Sequence, residues 1–126
     1  MSKSTNQKTK LLHLCRILLL RTDEEHPLTV PQLIEELARQ DIKAERKSIY
    51  DDLEALRLFG LDIQSRKGKV PGWFVGEREF ELPEVKLLMD AVQSSRFITQ
   101  KKSDALIRKL EGLASVHQAG QLQRQV

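Results

Sequence analysis

Residues 45–60 read Glu45-Arg46-Lys47-Ser48-Ile49-Tyr50-Asp51-Asp52-Leu53-Glu54-Ala55-Leu56-Arg57-Leu58-Phe59-Gly60. Within this stretch Ile49, Leu53 and Leu56 are spaced by four and three residues, which places their side chains on one face of an α-helix. Gly60 follows where a left-handed C-cap is expected, and Glu45 takes the N-cap position. The stretch therefore predicts a helix over residues 46–59 with one buried apolar face.

Cations occupy the first turn of this predicted helix. Arg46 and Lys47 are followed by Ser48, and Tyr50 and Asp51 come next on the flanks and outer face. In a helix-turn-helix complex with DNA, side chains at the start of the second helix reach base edges in the major groove. We therefore expect Arg46 or Lys47 to donate to guanine. Ser48 and Tyr50 are expected beside them in the groove.

A shorter helix is predicted just upstream, over residues 29–39. Thr29 is a favourable N-cap, and Pro31 stands in the first turn, where its missing N–H costs nothing. Residues 40–44 then form a polar turn whose length suits a helix-turn-helix. Because the start of such a helix faces phosphate, Thr29 and Gln32 are expected to contact the DNA backbone.

Residues 11–21 are apolar enough for a buried first helix but far too few to span a bilayer. The polar residues 1–10 carry Lys3, Lys8 and Lys10 and lead into no small-residue cleavage site, so no secretory signal is predicted. Two interpretations of this lead stay open. It is either a frayed tail, as chain termini usually are, or an arm that contacts phosphate.

The pattern changes after Gly60 to alternating apolar and polar residues at 61–66, then to a glycine-containing turn before Trp73. Two short strands around such a turn predict a β-hairpin. The cations around its tip are expected to follow the phosphates or the minor groove. These cations are Arg66, Lys67 and Lys69. Three helices followed by this hairpin predict a mainly α fold with a small β-hairpin, a winged helix-turn-helix in which the hairpin is the wing.

The charge balance reverses at residues 77–84, which hold four glutamates against one arginine. Acidic surface repels phosphate, so the DNA-facing part is expected to end here. Two further amphipathic helices are predicted over residues 83–94 and 103–114. The loop between them contains the apolar pair Phe97 and Ile98.

The predicted domains are therefore a winged helix-turn-helix at residues 1–76 and a helical linker at residues 77–126. A single wing contacts one half-site, whereas specific operators usually need two. We therefore expect a homodimer formed through the helices of residues 83–116. An interface supplied by a further domain of the intact protein stays open as the alternative.

No catalytic, cofactor or metal motif is found in the 126 residues. The single cysteine, Cys15, excludes an internal disulfide and favours a reducing compartment, so the expected location is the cytoplasm. It lies among leucines, which favours a buried thiol over a nucleophile. The three histidines are far apart and lack the spacing of a metal site. We expect a protein without enzymatic activity, cofactor or membrane association. The net charge of +3 alone is weak support for nucleic acid, whereas the clustering of cations is stronger support.

Three segments resemble the N-terminal region of WYL-domain transcriptional regulators, and the similarity extends from about Leu11 to the end of the chain. These segments are Lys47-Ser48-Ile49-Tyr50-Asp51-Asp52-Leu53-Glu54-Ala55-Leu56, Arg78-Glu79-Phe80-Glu81-Leu82 and Ala91-Val92-Gln93-Ser94-Ser95-Arg96-Phe97-Ile98-Thr99. The resemblance implies a DNA-binding winged helix-turn-helix, a helical linker and a C-terminal WYL domain that senses a ligand, commonly nucleic acid or a nucleotide. The sequence stops about where that domain would begin, so an effector is expected to bind outside it, in a C-terminal domain that it lacks.

Two positions depart from the pattern of this family. Asp51 stands where many members have arginine, so we expect it to accept from a cytosine amino group rather than to attract phosphate. Glu45 stands where many members have serine or aspartate, which are better N-caps.

Two alternatives stay open beside DNA binding. In the first alternative, the cations of the helix and the hairpin are solvated surface residues, as charged residues on an outer face usually are. Alternatively, the winged helix is a protein-interaction module, with the helices after Pro83 supplying an apolar face. Two basic clusters on the two DNA-facing elements favour a sequence-specific regulator that binds double-stranded DNA.

Overall fold

The computed structural model describes residues 3–124. In this part the elements are α1 Lys3–Arg21, α2 Val30–Ala38, α3 Arg46–Phe59, β1 Ile63–Arg66, β2 Gly72–Val75, α4 Leu82–Gln93, α5 Gln100–Glu111 and α6 Val116–Arg124. The predicted fold class is confirmed: the chain is mainly helical with one small antiparallel hairpin, compatible with a winged helix followed by further helices. None of the described helices is long and apolar enough to cross a membrane.

Helix α3 has the predicted bounds and the predicted buried face. Ile49, Leu53 and Leu56 are all buried. Gly60 ends the helix with φ +132°, a conformation that favours glycine, and its N–H donates to the carbonyl of Leu56. Glu45 is the N-cap residue but makes no capping bond through its side chain. The first turn of α3 therefore presents its cations without a side-chain cap.

Helix α1 begins earlier than the apolar pattern suggests. The described part of the polar lead is helical from Lys3, so the frayed-tail interpretation is wrong for residues 3–10. Lys10, which looked like part of a solvated tail, is buried and only 6% exposed. Met1 and Ser2 of this lead, and Gln125 and Val126 at the other end, lie outside the described residues.

The chain divides into two compact units, the first ending at Gly76 and the second beginning at Glu77. The core of the first unit is built from all three of its helices and from the hairpin. Its most deeply buried members are Leu14, Leu18, Leu33, Leu37, Ile49, Leu53 and Val75. This core fixes α3 against α1 and α2 and leaves the outer face of α3 exposed.

The hairpin pairs Ile63 with Val75 and Arg66 with Gly72. Two further backbone hydrogen bonds join the hairpin to the segment before α2. The N–H of Leu28 donates to the carbonyl of Trp73 at 2.9 Å, and the N–H of Trp73 donates to the carbonyl of Leu28 at 2.7 Å. Gly72 makes this approach possible, because a Cβ there would lie 2.5 Å from the carbonyl carbon of Leu28. The wing is therefore attached to the helical part through its backbone.

The second unit has a separate small core. Its buried members are Val85, Met89 and Leu122, with Phe80, Leu82, Ile107, Leu110 and Leu113 packed around them. Helix α5 begins three residues before its predicted start, because Thr99 caps it by accepting from the N–H of Lys102. Helix α6 was not predicted, since its sequence is mostly polar; Leu122 nevertheless places it against the core. Phe97 of the predicted apolar pair is 99% exposed.

Candidate nucleic-acid interface

We call the first turn of α3 the basic turn; it consists of Arg46, Lys47 and Ser48. Arg46 and Lys47 are exposed, whereas Ser48 is half-buried. The hydroxyl of Ser48 accepts a hydrogen bond of 2.6 Å from Nζ of Lys10. Ser48 therefore faces α1, and the two cations are the outward-facing members of the basic turn.

A partly buried ion pair lies directly beneath the basic turn. Nζ of Lys10 pairs with the carboxylate of Asp52, one turn further along α3 from Ser48. Burial of a lysine is costly unless its charge is paired, and here both a carboxylate and a hydroxyl meet the ammonium group. Lys10 thus joins α1 to the N-terminal end of α3. The sequence could not reveal this contact, because no local pattern links residues 42 positions apart.

Tyr50 points toward the wing. Its ring meets that of Trp73 edge-on, with 6.1 Å between the ring centroids and 69° between the planes. Nη1 of Arg46 donates to the Tyr50 hydroxyl at 3.3 Å. Arg46, Tyr50 and Trp73 therefore form a continuous chain of contacts from the basic turn to the hairpin.

A second link joins α3 to the wing through Arg57. Nε and Nη2 of Arg57 both donate to the carbonyl of Ile63, at 3.3 and 3.0 Å, and Nη1 donates to Glu54 at 2.8 Å. Its guanidinium also lies 6.0 Å from the centroid of the Trp73 ring, within range of a cation–π interaction. Arg57 was not among the predicted site residues, and these bonds give it a role in fixing the hairpin against α3.

The cations of the wing differ in their surroundings. The guanidinium of Arg66 lies over the Phe74 ring at 5.4 Å and is half-buried. Lys67 and Lys69 are exposed on either side of Gly68, whose φ of +117° makes the turn. The tip therefore presents two lysines to solvent, and Arg66 lies at its base.

Thr29 and Gln32 form a reciprocal cap at the start of α2. The N–H of Gln32 donates to Oγ1 of Thr29 at 3.3 Å, and the N–H of Thr29 donates to Oε1 of Gln32 at 2.8 Å. The predicted N-cap is confirmed. The hydroxyl hydrogen of Thr29 and the amide N–H groups of Gln32 are the donors that this cap does not use, so contact with phosphate stays a prediction.

Replacing Thr29 with alanine should lower the free energy of unfolding by about 1 kcal/mol, because Oγ1 caps the backbone of the first turn of α2. Urea unfolding followed by Trp73 fluorescence measures this change. Thr29→Ser keeps the hydroxyl and should lie much closer to the unmutated chain. Equal losses for the two variants would contradict a role for the cap.

Asp51 is exposed on the outer face of α3, where it was expected. Further along the same helix, Leu58 and Phe59 are 80% and 83% exposed. The two side chains are neighbours, so together they form a small apolar area on this exposed side of the helix. The outer side of α3 therefore has a charged beginning and an apolar end.

The cysteine and histidine side chains outside this surface have surroundings that suit a structural role. Cys15 is half-buried beside the first core, and burial raises the pKa of its thiol, which disfavours the reactive thiolate. Nδ1 of His26 lies 2.7 Å from a carboxylate oxygen of Asp23, within the α1–α2 connection. Among residues 3–124, no three histidine, cysteine or acidic side chains gather as a metal site would require.

Comparison with known proteins finds no matching family model, curated protein or solved structure.

Proposed function

We propose that this chain is the DNA-binding part of a transcriptional regulator that recognises double-stranded DNA by sequence. The observation that carries the proposal is the joining of two basic elements. Arg46 of the basic turn is connected through Tyr50 to Trp73 of the hairpin, whose tip exposes Lys67 and Lys69. A fixed arrangement of two cationic elements suits a duplex better than unrelated solvated charges do.

In the proposed complex, α3 enters the major groove with its first turn foremost. Arg46 or Lys47 donates to O6 and N7 of guanine, and Asp51 accepts from a cytosine amino group. The wing lysines and Arg66 neutralise phosphates or enter the minor groove, and the cap of α2 contacts phosphate. Ser48 supports this surface from below, because its hydroxyl accepts from buried Lys10.

The proposal also includes the domain arrangement that the resemblance to WYL-domain regulators implies. Under it, residues 77–126 are the helical linker between the DNA-binding unit and an effector-sensing domain and contribute to a homodimer in the cytoplasm. Exposed Leu87 and Phe97 in this unit are suited to a protein contact. The proposal includes no enzymatic step and no cofactor.

Binding should be strongly salt-dependent. If roughly six cations each neutralise one phosphate, the logarithm of the association constant should fall with the logarithm of salt concentration with a slope of about −5. Arg46→Ala/Lys47→Ala should weaken binding and reduce the magnitude of the slope by about 1, because one of the two cations contacts guanine and the other neutralises a phosphate. Fluorescence anisotropy of a short labelled duplex, titrated at several salt concentrations, measures both quantities.

Lys101→Ala/Lys102→Ala is the matched control for this experiment. It removes the same charge from exposed lysines in the first turn of α5, in the other unit. The control should keep the slope of the unmutated chain. A slope near zero, or equal effects of the two double variants, would contradict the proposed interface.

The second candidate function is a protein-interaction module, favoured by the exposure of Leu58 and Phe59 on α3. Under this alternative, Arg46→Ala/Lys47→Ala leaves binding of the partner protein intact, and Leu58→Ser/Phe59→Ser abolishes it. Loss of duplex binding in the first variant with an unchanged fold favours DNA.

A further inference from the structure

Tyr50 occupies a position from which a side chain of a recognition helix could enter the DNA groove, but its contacts point elsewhere. Its ring packs edge-on against Trp73, which belongs to the hairpin. Trp73 is itself fixed by two backbone hydrogen bonds to Leu28 and by the guanidinium of Arg57 beside its ring. The Tyr50 ring therefore packs against a part of the wing that Leu28 and Arg57 hold in place.

The hydroxyl of Tyr50 has a different partner. It accepts a hydrogen bond from Nη1 of Arg46, which lies one helical turn before it on the exposed side of α3. A guanidinium has five N–H donors, so one bond to the phenol oxygen leaves enough donors for a bidentate contact with guanine. A long arginine side chain that is held before binding loses less conformational freedom when it binds.

We propose that Tyr50 is a positioning residue that holds Arg46 in place for the base it contacts. This role rests on the proposed function. The wing supports the position of Arg46 through Trp73 and Tyr50, in addition to neutralising phosphate through its own lysines. Tyr50 then influences sequence recognition through Arg46 and makes no base contact of its own.

A double-mutant cycle of Tyr50→Phe and Arg46→Ala tests this proposal. The probe is a labelled duplex selected by the unmutated chain from a random-sequence pool, and binding is followed by anisotropy. Tyr50→Phe removes only the hydroxyl and should weaken binding about three- to tenfold in the unmutated background, as expected for one lost hydrogen bond. In the Arg46→Ala background the same substitution should have no further effect, because its partner is already absent.

Trp73 supplies the structural control. It is the only tryptophan in the chain, and its ring touches that of Tyr50, so its emission reports whether the ring contact persists. Tyr50→Phe should keep this emission, whereas Tyr50→Leu, which removes the ring, should change it. A loss of binding by Tyr50→Phe at unchanged emission is then assigned to the hydroxyl rather than to a displaced wing.

Three results would overturn the proposal. Equal losses in the two backgrounds would mean that Tyr50 contacts DNA directly, and no loss in either would mean that its bond to Arg46 is irrelevant to binding. Both leave the proposed DNA-binding function standing. Absence of any salt-sensitive binding by the unmutated chain would overturn that function and this role together.

Discussion

Replacing Asp52 with alanine should destabilise the first unit by about 2 to 3 kcal/mol, because it leaves the buried ammonium group of Lys10 without its counter-charge. Lys10 would keep only the hydroxyl of Ser48 as a partner. Since this pair joins α1 to α3, the first turn of α3 should also lose its fixed position. Denaturant unfolding followed by Trp73 fluorescence measures the stability, and under the proposed function anisotropy of a labelled duplex measures an accompanying loss of affinity.

Two comparisons make this result interpretable. Glu54→Ala removes an exposed carboxylate that pairs with Arg57 on the same helix, and such surface pairs contribute no more than about 1 kcal/mol. Lys10→Met/Asp52→Leu replaces both charges by apolar side chains and should recover much of the lost stability, because neither charge is then left unpaired. A similar small loss for Asp52→Ala and Glu54→Ala would contradict an important role for the pair of Lys10 and Asp52.

Gly72→Ala should lower the free energy of unfolding of the first unit by a similar amount, because it displaces the backbone. The φ of Gly72 is +142°, where an alanine is strained, and the added Cβ would lie within 2.5 to 2.8 Å of the backbone of Leu28. Relief of that overlap requires the two chains to separate, which weakens the hydrogen bonds between Leu28 and Trp73. Strain and the two weakened bonds together should cost about 3 kcal/mol or more. Unfolding measurements give this cost, and weaker DNA binding should accompany it because the wing shifts.

Gly68→Ala is the matched control at the wing tip. Gly68 also has a positive φ, +117°, but nothing lies within 4 Å of the added Cβ. It should therefore cost only the conformational strain, about 1 to 2 kcal/mol. If the two variants lost the same stability, the close approach to Leu28 would not be what requires glycine at residue 72.

Local patterns were sufficient to predict several elements of the fold. Helix α3 was predicted with its observed bounds, because the apolar spacing of its buried face is regular and Gly60 ends it by conformation rather than by distant contacts. The cap by Thr29 and the hairpin were predicted for the same reason. Each of these features depends on residues within a few positions of one another.

Features that depend on distant contacts were not predicted. Lys10 has the sequence context of a solvated tail, and only its pairing with Asp52 makes burial possible. Likewise, the exposed positions of α3 gave no indication that Tyr50 and Arg57 face the hairpin. Helix α6 has few apolar residues, so its packing through Leu122 and Ala119 is a tertiary effect. The candidate site residues were thus found one by one, whereas the contacts that connect them required the folded chain.

The division into two cores determines what each spectroscopic signal can measure. The only tryptophan and the only tyrosine, Trp73 and Tyr50, both belong to the first unit. Fluorescence therefore monitors the melting of the first core, whereas far-ultraviolet ellipticity counts helices from both. For a variant such as Asp52→Ala or Gly72→Ala, a fluorescence midpoint that falls below the ellipticity midpoint would show the first core melting while helices elsewhere persist, and coincident midpoints would show one cooperative transition.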